Sequence, residues 1–356
     1  ELNMPDIFEL SRQKLHEKDA NRHSGLNDDE NDRSMGADQN ESTIIICGNQ
    51  QCGKTTLICR FLEKPVENSK TIGLEYNFLT RMKNNNKEVC SIWEVGGGVK
   101  MAPLVRIPLT AKSIESSAIC IFVDLSSPSD IADVLLQTVH ALQEQIETIM
   151  KEINQADHER YDKILNKIKN FTNHKDAHVI SPFVIPVTIM VAHYDQFQNY
   201  ETEKKKTLYK FLRFFAHIHG ATILAFGPSV EGLISKCKAL LSHYGFRDGR
   251  PNLQQNTDVM KPLIVLAGSD SLESIGTMSG VVNPPTTYKE ALRQWKEAIE
   301  EHFPQEDKSK KKSVNATSDK QFAEYEIDTT VEQRKRELEL FIRERKNRKA
   351  LDEKNS

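Results

Sequence analysis

Residues Gly48 to Thr55 read GNQQCGKT. A glycine, four residues, a second glycine, then lysine and threonine is the spacing with which a backbone loop wraps phosphate oxygens. Gly48 and Gly53 allow the turns that aim the N–H groups of Asn49, Gln50, Gln51 and Cys52 inward. Lys54 is placed to reach β- and γ-phosphates, and the Thr55 hydroxyl to hold magnesium. Thr56 continues into TTLICRFLEK, a helix whose N-terminus favours an anion. The apolar run TIIIC comes just before the loop, so the context is strand, loop, helix.

Hydrolysis by a Ras-like switch needs more than this loop. A later strand should end in Asp-x-x-Gly, followed by a glutamine that orients the attacking water. Here it ends SIWEVGGG, with Glu94 at the aspartate position, Gly97 at the glycine position and Gly98 where the glutamine belongs. A glycine has no side chain with which to orient water, and no substitute is evident nearby in the sequence. Thr71, in SKTIGLEYNF, is placed as the upstream switch threonine. Guanine recognition by Asn-Lys-x-Asp is reduced to Ala192-His193-Tyr194-Asp195, in which Asp195 alone keeps its acceptor role. The loop that should back the base reads Phe226-Gly227-Pro228-Ser229. These residues predict a phosphate site, with GTP or GDP and magnesium as its ligands if it is filled at all, and no catalytic residue. A kinase of the same loop class would need an arginine-rich lid, and the arginines here are scattered.

The elements that would position the loop are legible as alternation. Apolar runs at 43–47, 73–80, 88–94, 117–124, 185–191, 221–226 and 262–267 suit strands buried on both faces. Helical segments fall between them at 54–64, 129–155, 202–219 and 229–243. The alternation predicts an α/β fold: a P-loop, Ras-like, doubly wound and mostly parallel sheet with flanking helices. In 129–155, Ile131, Leu135, Leu142, Ile146, Ile149 and Ile153 form one apolar stripe. Residues 156–180 read as a polar surface insertion with a second charged helix.

Three parts are expected. Residues 1–41 carry a short amphipathic helix (Ile7, Phe8, Leu10, Leu15) and then a polar linker. Residues 42–304 form the Ras-like domain, closed by an amphipathic helix with Tyr288, Ala291, Leu292, Trp295, Ile299 and Phe303 on one face. Residues 305–356 are a linker containing the basic run at 308–312, then a charged helix over 329–351. Its thin strip of Val331, Leu338, Phe341 and Ile342 is too narrow for a core and wide enough to dock in a groove.

The chain of 356 residues has 48 basic and 51 acidic side chains, a net charge of -3 that argues against a nucleic-acid binder. No apolar window is long enough to insert in a membrane, and the charged opening ELNMPDIFELSRQKLHEKD is unlike a signal peptide. The six cysteines form no CxxC pair and read as buried thiols. His174 and His178 have the i, i+4 spacing of helical metal ligands, but no third ligand accompanies them and turn signals surround them. His217 and His219 end an aromatic helix, where histidine has an ordinary electrostatic role. Phe211, Phe214 and Phe215 read as core or as a partner contact.

The combination GNQQCGKT, GLEYNF, IWEVGGG, VAHYDQFQNYE, LRFFAHIHGAT and KPLIVLAGSDSLESIG resembles the dynein light intermediate chains over about residues 42–345. The WEVGGG element is similar to the dynein-2 branch. The resemblance implies a non-catalytic accessory subunit that binds and stabilises the dynein-2 heavy-chain tail. It implies the other dynein-2 subunits and intraflagellar transport trains as further partners. The implied task is retrograde intraflagellar transport and cilium assembly and maintenance. The implied places are the cytoplasm, the cytoskeleton and the cilium, at its axoneme and basal body. The alternative is a nucleotide-regulated, Ras-like GTPase switch.

Overall fold

A computed structural model describes residues 41–66, 70–276, 288–304 and 324–352. The expected N-terminal helix and the basic run at 308–312 lie outside the described residues. The contact pattern divides the chain into two units, 1–304 and 305–356.

In the first unit, β1 (Glu41–Gly48) leads through the loop into α1 (Lys54–Phe61). The hairpin β2 (Leu74–Lys83) and β3 (Asn86–Val95) follows, then a 3-10 segment, Gly98–Arg106. Next come β4 (Ser117–Asp124), the long α2 (Pro128–Ala156) and α3 (His158–Asn166). Then come β5 (Val187–Ala192), α4 (Tyr194–Phe197), α5 (Thr202–Ile218), β6 (Thr222–Ala225) and α6 (Glu231–Phe246). The unit ends with β7 (Ile264–Val265), α7 (Leu272–Ile275) and α8 (Tyr288–His302).

One seven-stranded sheet runs β2-β3-β1-β4-β5-β6-β7. The inner pairings are parallel, and only the two outermost pairs, β2 with β3 and β6 with β7, are antiparallel. The run Ile44-Ile45-Ile46 is fully buried because β1 is central and covered on both faces. Ile44 and Ile46 pack with Leu57 of α1 and Leu240 of α6, whereas Ile45 and Cys47 join the larger core beneath α2 and α5.

The α2 stripe is buried as the spacing predicts, and Pro128 starts the helix, where its missing N–H costs nothing. Phe211, Phe214 and Phe215 are core. Trp295, Ile299 and Phe303 of α8 are buried too, and Trp295 stacks on Phe214 at 5.5 Å. Burial of each such side chain contributes about 1.5–3 kcal/mol, which seats α8 on its own domain. The side chain of Tyr288 lies outside the described residues.

The β2–β3 end of the sheet is built differently. Arg81 donates two parallel hydrogen bonds to Asp248, both at 2.7 Å, and its guanidinium lies 4.2 Å over the Phe246 ring. That clamp ties one face of the ribbon to the end of α6. The opposite face presents Tyr76, Phe78 and Met82 at 48%, 55% and 68% exposure, although all three are large and apolar.

The second unit has one described element, α9 (Tyr325–Asp352), which starts before the expected 329. Val331, Leu338, Phe341 and Ile342 are all exposed on it. Short-range pairs such as Arg336 with Glu332 line its surface.

Candidate functional site: a phosphate loop at the carboxyl edge of the sheet

Because β1, β3, β4, β5 and β6 run parallel, their carboxyl ends share one edge. The chain leaves β1 towards β3 on one side and later returns to β4 on the other, so β1 sits at the switch point where α/β sheets bind ligands. Loop 49–53 leaves β1 at this edge. So do Glu94 at the end of β3, Asp124 at the end of β4, His193 after β5 and Phe226 after β6. Thr71 joins them, since Leu74 at the start of β2 pairs with Val95 at the end of β3.

Local sterics account for both loop glycines. Gly48 has φ +116, and a Cβ there would sit 2.0 Å from the Phe122 carbonyl oxygen. Gly53 has φ +86, and its Cβ would strike the Phe226 ring at 2.6 Å. Phe226 therefore supports the loop from beneath, packed edge-on to Phe122 at 5.6 Å, rather than leading a base-backing loop. Gly53 is the N-cap of α1 and makes no side-chain cap bond, and no acidic residue stands in the first turn. The helix N-terminus thus keeps its positive end for an anion.

The residues fit a magnesium-bound phosphate. Lys54 is buried, and its Nζ donates to the Asn49 carbonyl at 2.5 Å, using one of three protons. Thr55 Oγ1 lies 2.9 and 3.0 Å from the two Glu94 carboxylate oxygens. Its single proton goes to the carboxylate, which leaves its lone pairs for a cation. Asn49 Oδ1 is buried without a hydrogen-bond partner among the described residues, and such orphans mark places where a ligand or water belongs. Burial pushes the Glu94 carboxyl above its ordinary value, against the pull of Lys54 and Thr55. A cation beside it would pull it back down. Burial also pushes the Cys47 and Cys52 thiols up to about 12, so neither is a nucleophile.

The hydrolytic half of the site is different. Gly97 has the left-handed conformation and caps the 3-10 segment. Thr71 lies against this turn, with its carbonyl carbon 2.5 Å from where a Cβ on Gly96 would be, and its hydroxyl donates to Glu75 at 2.9 Å. Above Gly98 the space is taken by Gln50, whose Cγ is 3.3 Å from the position of a Cβ there. The loop glutamine was not legible as a neighbour of Gly98 from sequence alone. At the base position, His193 adopts φ 55 and its Nδ1 lies 2.7 Å from Asp124 Oδ1. The residue at the lysine position is thereby held against the end of β4. Ala192 is fully buried, and Asp195 is exposed in the first turn of α4.

Away from the loop, the turn signals around His174 and His178 are matched by turns, and one expectation is corrected. Residues 172–178 are turns, not a helix, so His174 and His178 do not share a helical face, and His178 is exposed. His217 and His219 are not surface cations at a helix end. Both are buried, and burial lowers the His219 ring to about 4. His219 lies between the Phe183 and Phe215 rings. His217 Nε2 lies 2.9 Å from Asp176 Oδ2.

A mostly parallel sheet with a phosphate loop after its central strand and switch-like segments on the same edge defines a P-loop protein of the Ras-like type. Residues 17–196 match the family model described as dynein light intermediate chain. Cytoplasmic dynein 2 light intermediate chain 1 of Danio rerio is 31% identical over 333 residues, 91% of each chain. The Homo sapiens protein of that name is 30% identical over 350 residues, 95% of each chain. The crystal structure of the dynein light intermediate chain's conserved domain is similar over 75% of this chain and 93% of that one, at 17% identity and a TM-score of 0.48. The chain belongs to the dynein light intermediate chain family, a family of dynein accessory subunits. Among the described residues, no helix is long and apolar enough to cross a membrane.

Proposed function

We propose that this chain is a non-catalytic subunit of the cytoplasmic dynein-2 motor that binds and stabilises the heavy-chain tail. In this reading it serves retrograde intraflagellar transport and cilium assembly, and works in the cytoplasm and along the ciliary axoneme and basal body. The observation that carries the reading is the contrast at the loop. Lys54, Thr55 and Glu94 are assembled for a phosphate and magnesium, while the water-orienting position is Gly98, overlain by Gln50. GTP or GDP with magnesium is then a structural ligand, and motor hydrolysis belongs to the heavy chain.

The uncovered face of the β2–β3 ribbon supplies a surface for the tail. Tyr76 and Phe78 stand exposed, Tyr76 packs on Trp93 at 4.7 Å, and β2 is an edge strand. Exposed aromatic patches of this kind mark interaction sites. The reading is tested by removing the chain from a ciliated cell. Shortened cilia with transport material accumulated at their tips are expected, and normal cilia with normal return transport would overturn it.

The alternative is a nucleotide-regulated GTPase switch, favoured by the packing of Thr71 against the turn that carries Gly97. Release of bound nucleotide by heat, followed by chromatography, separates the two. Stoichiometric GTP or GDP with hydrolysis stimulated by a partner favours the switch. Bound nucleotide without turnover, or an empty loop in a folded protein, favours the structural subunit.

A further inference from the structure

Three side chains from two distant points of the sequence meet outside the loop. His174 and Asp176 come from the turns after α3, and His217 from the last turn of α5. One ligating atom from each lies within 4.8 Å of the other two. His217 Nε2 is 2.9 Å from Asp176 Oδ2, and His174 Nδ1 is 3.8 Å from the same oxygen. Ligand atoms around a tetrahedral zinc ion stand about 3.3–3.5 Å apart, given bonds of about 2.0–2.2 Å. The observed separations reach that geometry through shifts of a few tenths of an ångström for the two oxygen–nitrogen pairs.

The surroundings suit such a site. His174 Nε2 lies 3.1 Å from the Asp270 carbonyl oxygen. It donates its proton there, which fixes the tautomer and turns the Nδ1 lone pair towards Asp176 and His217. A backbone carbonyl on the far nitrogen is the usual support of a metal-bound histidine. Asp270 is itself held by Arg213, through two bonds of 2.7 Å, so the support is rigid. Asp176 Oδ2 also accepts the Leu272 amide at 2.9 Å, which aims the carboxylate. Burial pushes the His217 ring below its ordinary value, against the opposing pull of Asp176. The His217 side chain is 0% exposed and that of His174 17% exposed, so the cluster is closed on one side and open on the other. The Asp176 amide donates to His174 Nδ1 at 3.1 Å, a bond that the ion would replace.

We propose that His174 Nδ1, the Asp176 carboxylate and His217 Nε2 form a three-ligand site for a divalent transition metal of the zinc class. Water takes the fourth position, on the open side. On binding, the proton on His217 Nε2 moves to Nδ1, which is buried with no hydrogen-bond partner among the described residues, so metal coordination must offset that cost. The ion ties the turns at 172–178 to α5 and, through Asp176 and the Leu272 amide, to α7, apart from the phosphate loop.

The test uses the full chain, stripped with a chelator and titrated with cobalt(II). One equivalent should bind with the intense visible absorption of tetrahedral cobalt, and zinc should displace it. The band should vanish in His174→Ala and Asp176→Asn. His174 is the safer change, being the most exposed of the three. X-ray absorption of the zinc-loaded wild-type protein keeps the proposal falsifiable if both variants misfold. It should show only nitrogen and oxygen neighbours, at about 2.0–2.2 Å. The absence of a cobalt band, a band unchanged in a folded His174→Ala protein, or sulfur in the zinc shell would each overturn the proposal. The cluster would then be a hydrogen-bonded latch without a metal.

Discussion

The phosphate-loop edge and the β2–β3 ribbon stand at two places on one sheet and obey opposite rules. At the loop, polar groups are buried or half-buried and aimed: Lys54 at the Asn49 carbonyl, Thr55 at Glu94, His193 at Asp124. At the ribbon, Tyr76, Phe78 and Met82 are large, apolar and exposed. Building the first arrangement costs desolvation and the second leaves hydrophobic area in water, so neither is what stability alone would select. The loop brings Lys54, Thr55 and Glu94 together and has a glycine at position 98. The ribbon has no chemistry and much area to bury. On the proposed function, ligand binding falls to the loop and partner binding to the ribbon.

The comparison breaks most visibly at the ribbon. Tyr76→Asp and Phe78→Asp should each weaken heavy-chain tail binding by about 2 kcal/mol or more, as buried aromatic anchors do. That is roughly thirtyfold in a binding titration. The melting temperature should stay near wild type, because both side chains are already exposed. Next in size is Lys54→Ala, which removes a charged donor worth about 1.5–3 kcal/mol. Its nucleotide content after purification should fall at least about tenfold, with tail binding unchanged.

Gly98→Gln should be milder, costing on the order of 1 kcal/mol because a side chain is forced into a left-handed backbone. It should leave GTP hydrolysis at background, since Gln50 occupies the space. Hydrolysis restored only in Gly98→Gln with Gln50→Gly would show that the site lost one group and not its design. The smallest effect is a change of sign at Glu94. Its raised pKa means the folded state holds the proton more tightly, so stability falls as pH rises from the ordinary glutamate range to Glu94's own value. Glu94→Gln escapes that loss. It should melt higher than wild type near neutral pH without magnesium, with the gap closing in acid. With magnesium and nucleotide present, the order should reverse.

What could be read from the sequence was what is contiguous or periodic. The loop is eight consecutive residues, and β4 announces itself as SAICIFVD. The i, i+4 spacing of Ala291, Trp295 and Ile299 shows as one helix face. What stayed hidden depends on tertiary approach. Asp176 and His217 are 41 residues apart and His193 and Asp124 69 apart, and no local pattern links either pair. Gln50 and Gly98 meet because β1 and β3 are parallel neighbours, so the ends of both strands reach one edge. The histidines at the end of α5 were misplaced because a helix terminus usually faces water, whereas here residues 181–183 cross it through Ser181 N–H to the Ile218 carbonyl.

On the proposed function, tail binding does not depend on the loop. The measurement that tests it most directly is the affinity of purified wild-type and Lys54→Ala chains for a heavy-chain tail fragment, with nucleotide content assayed on the same samples. Equal affinities are expected while the variant loses its nucleotide. A loss of about tenfold or more in tail affinity, in a variant whose fold and melting temperature are intact, would contradict it.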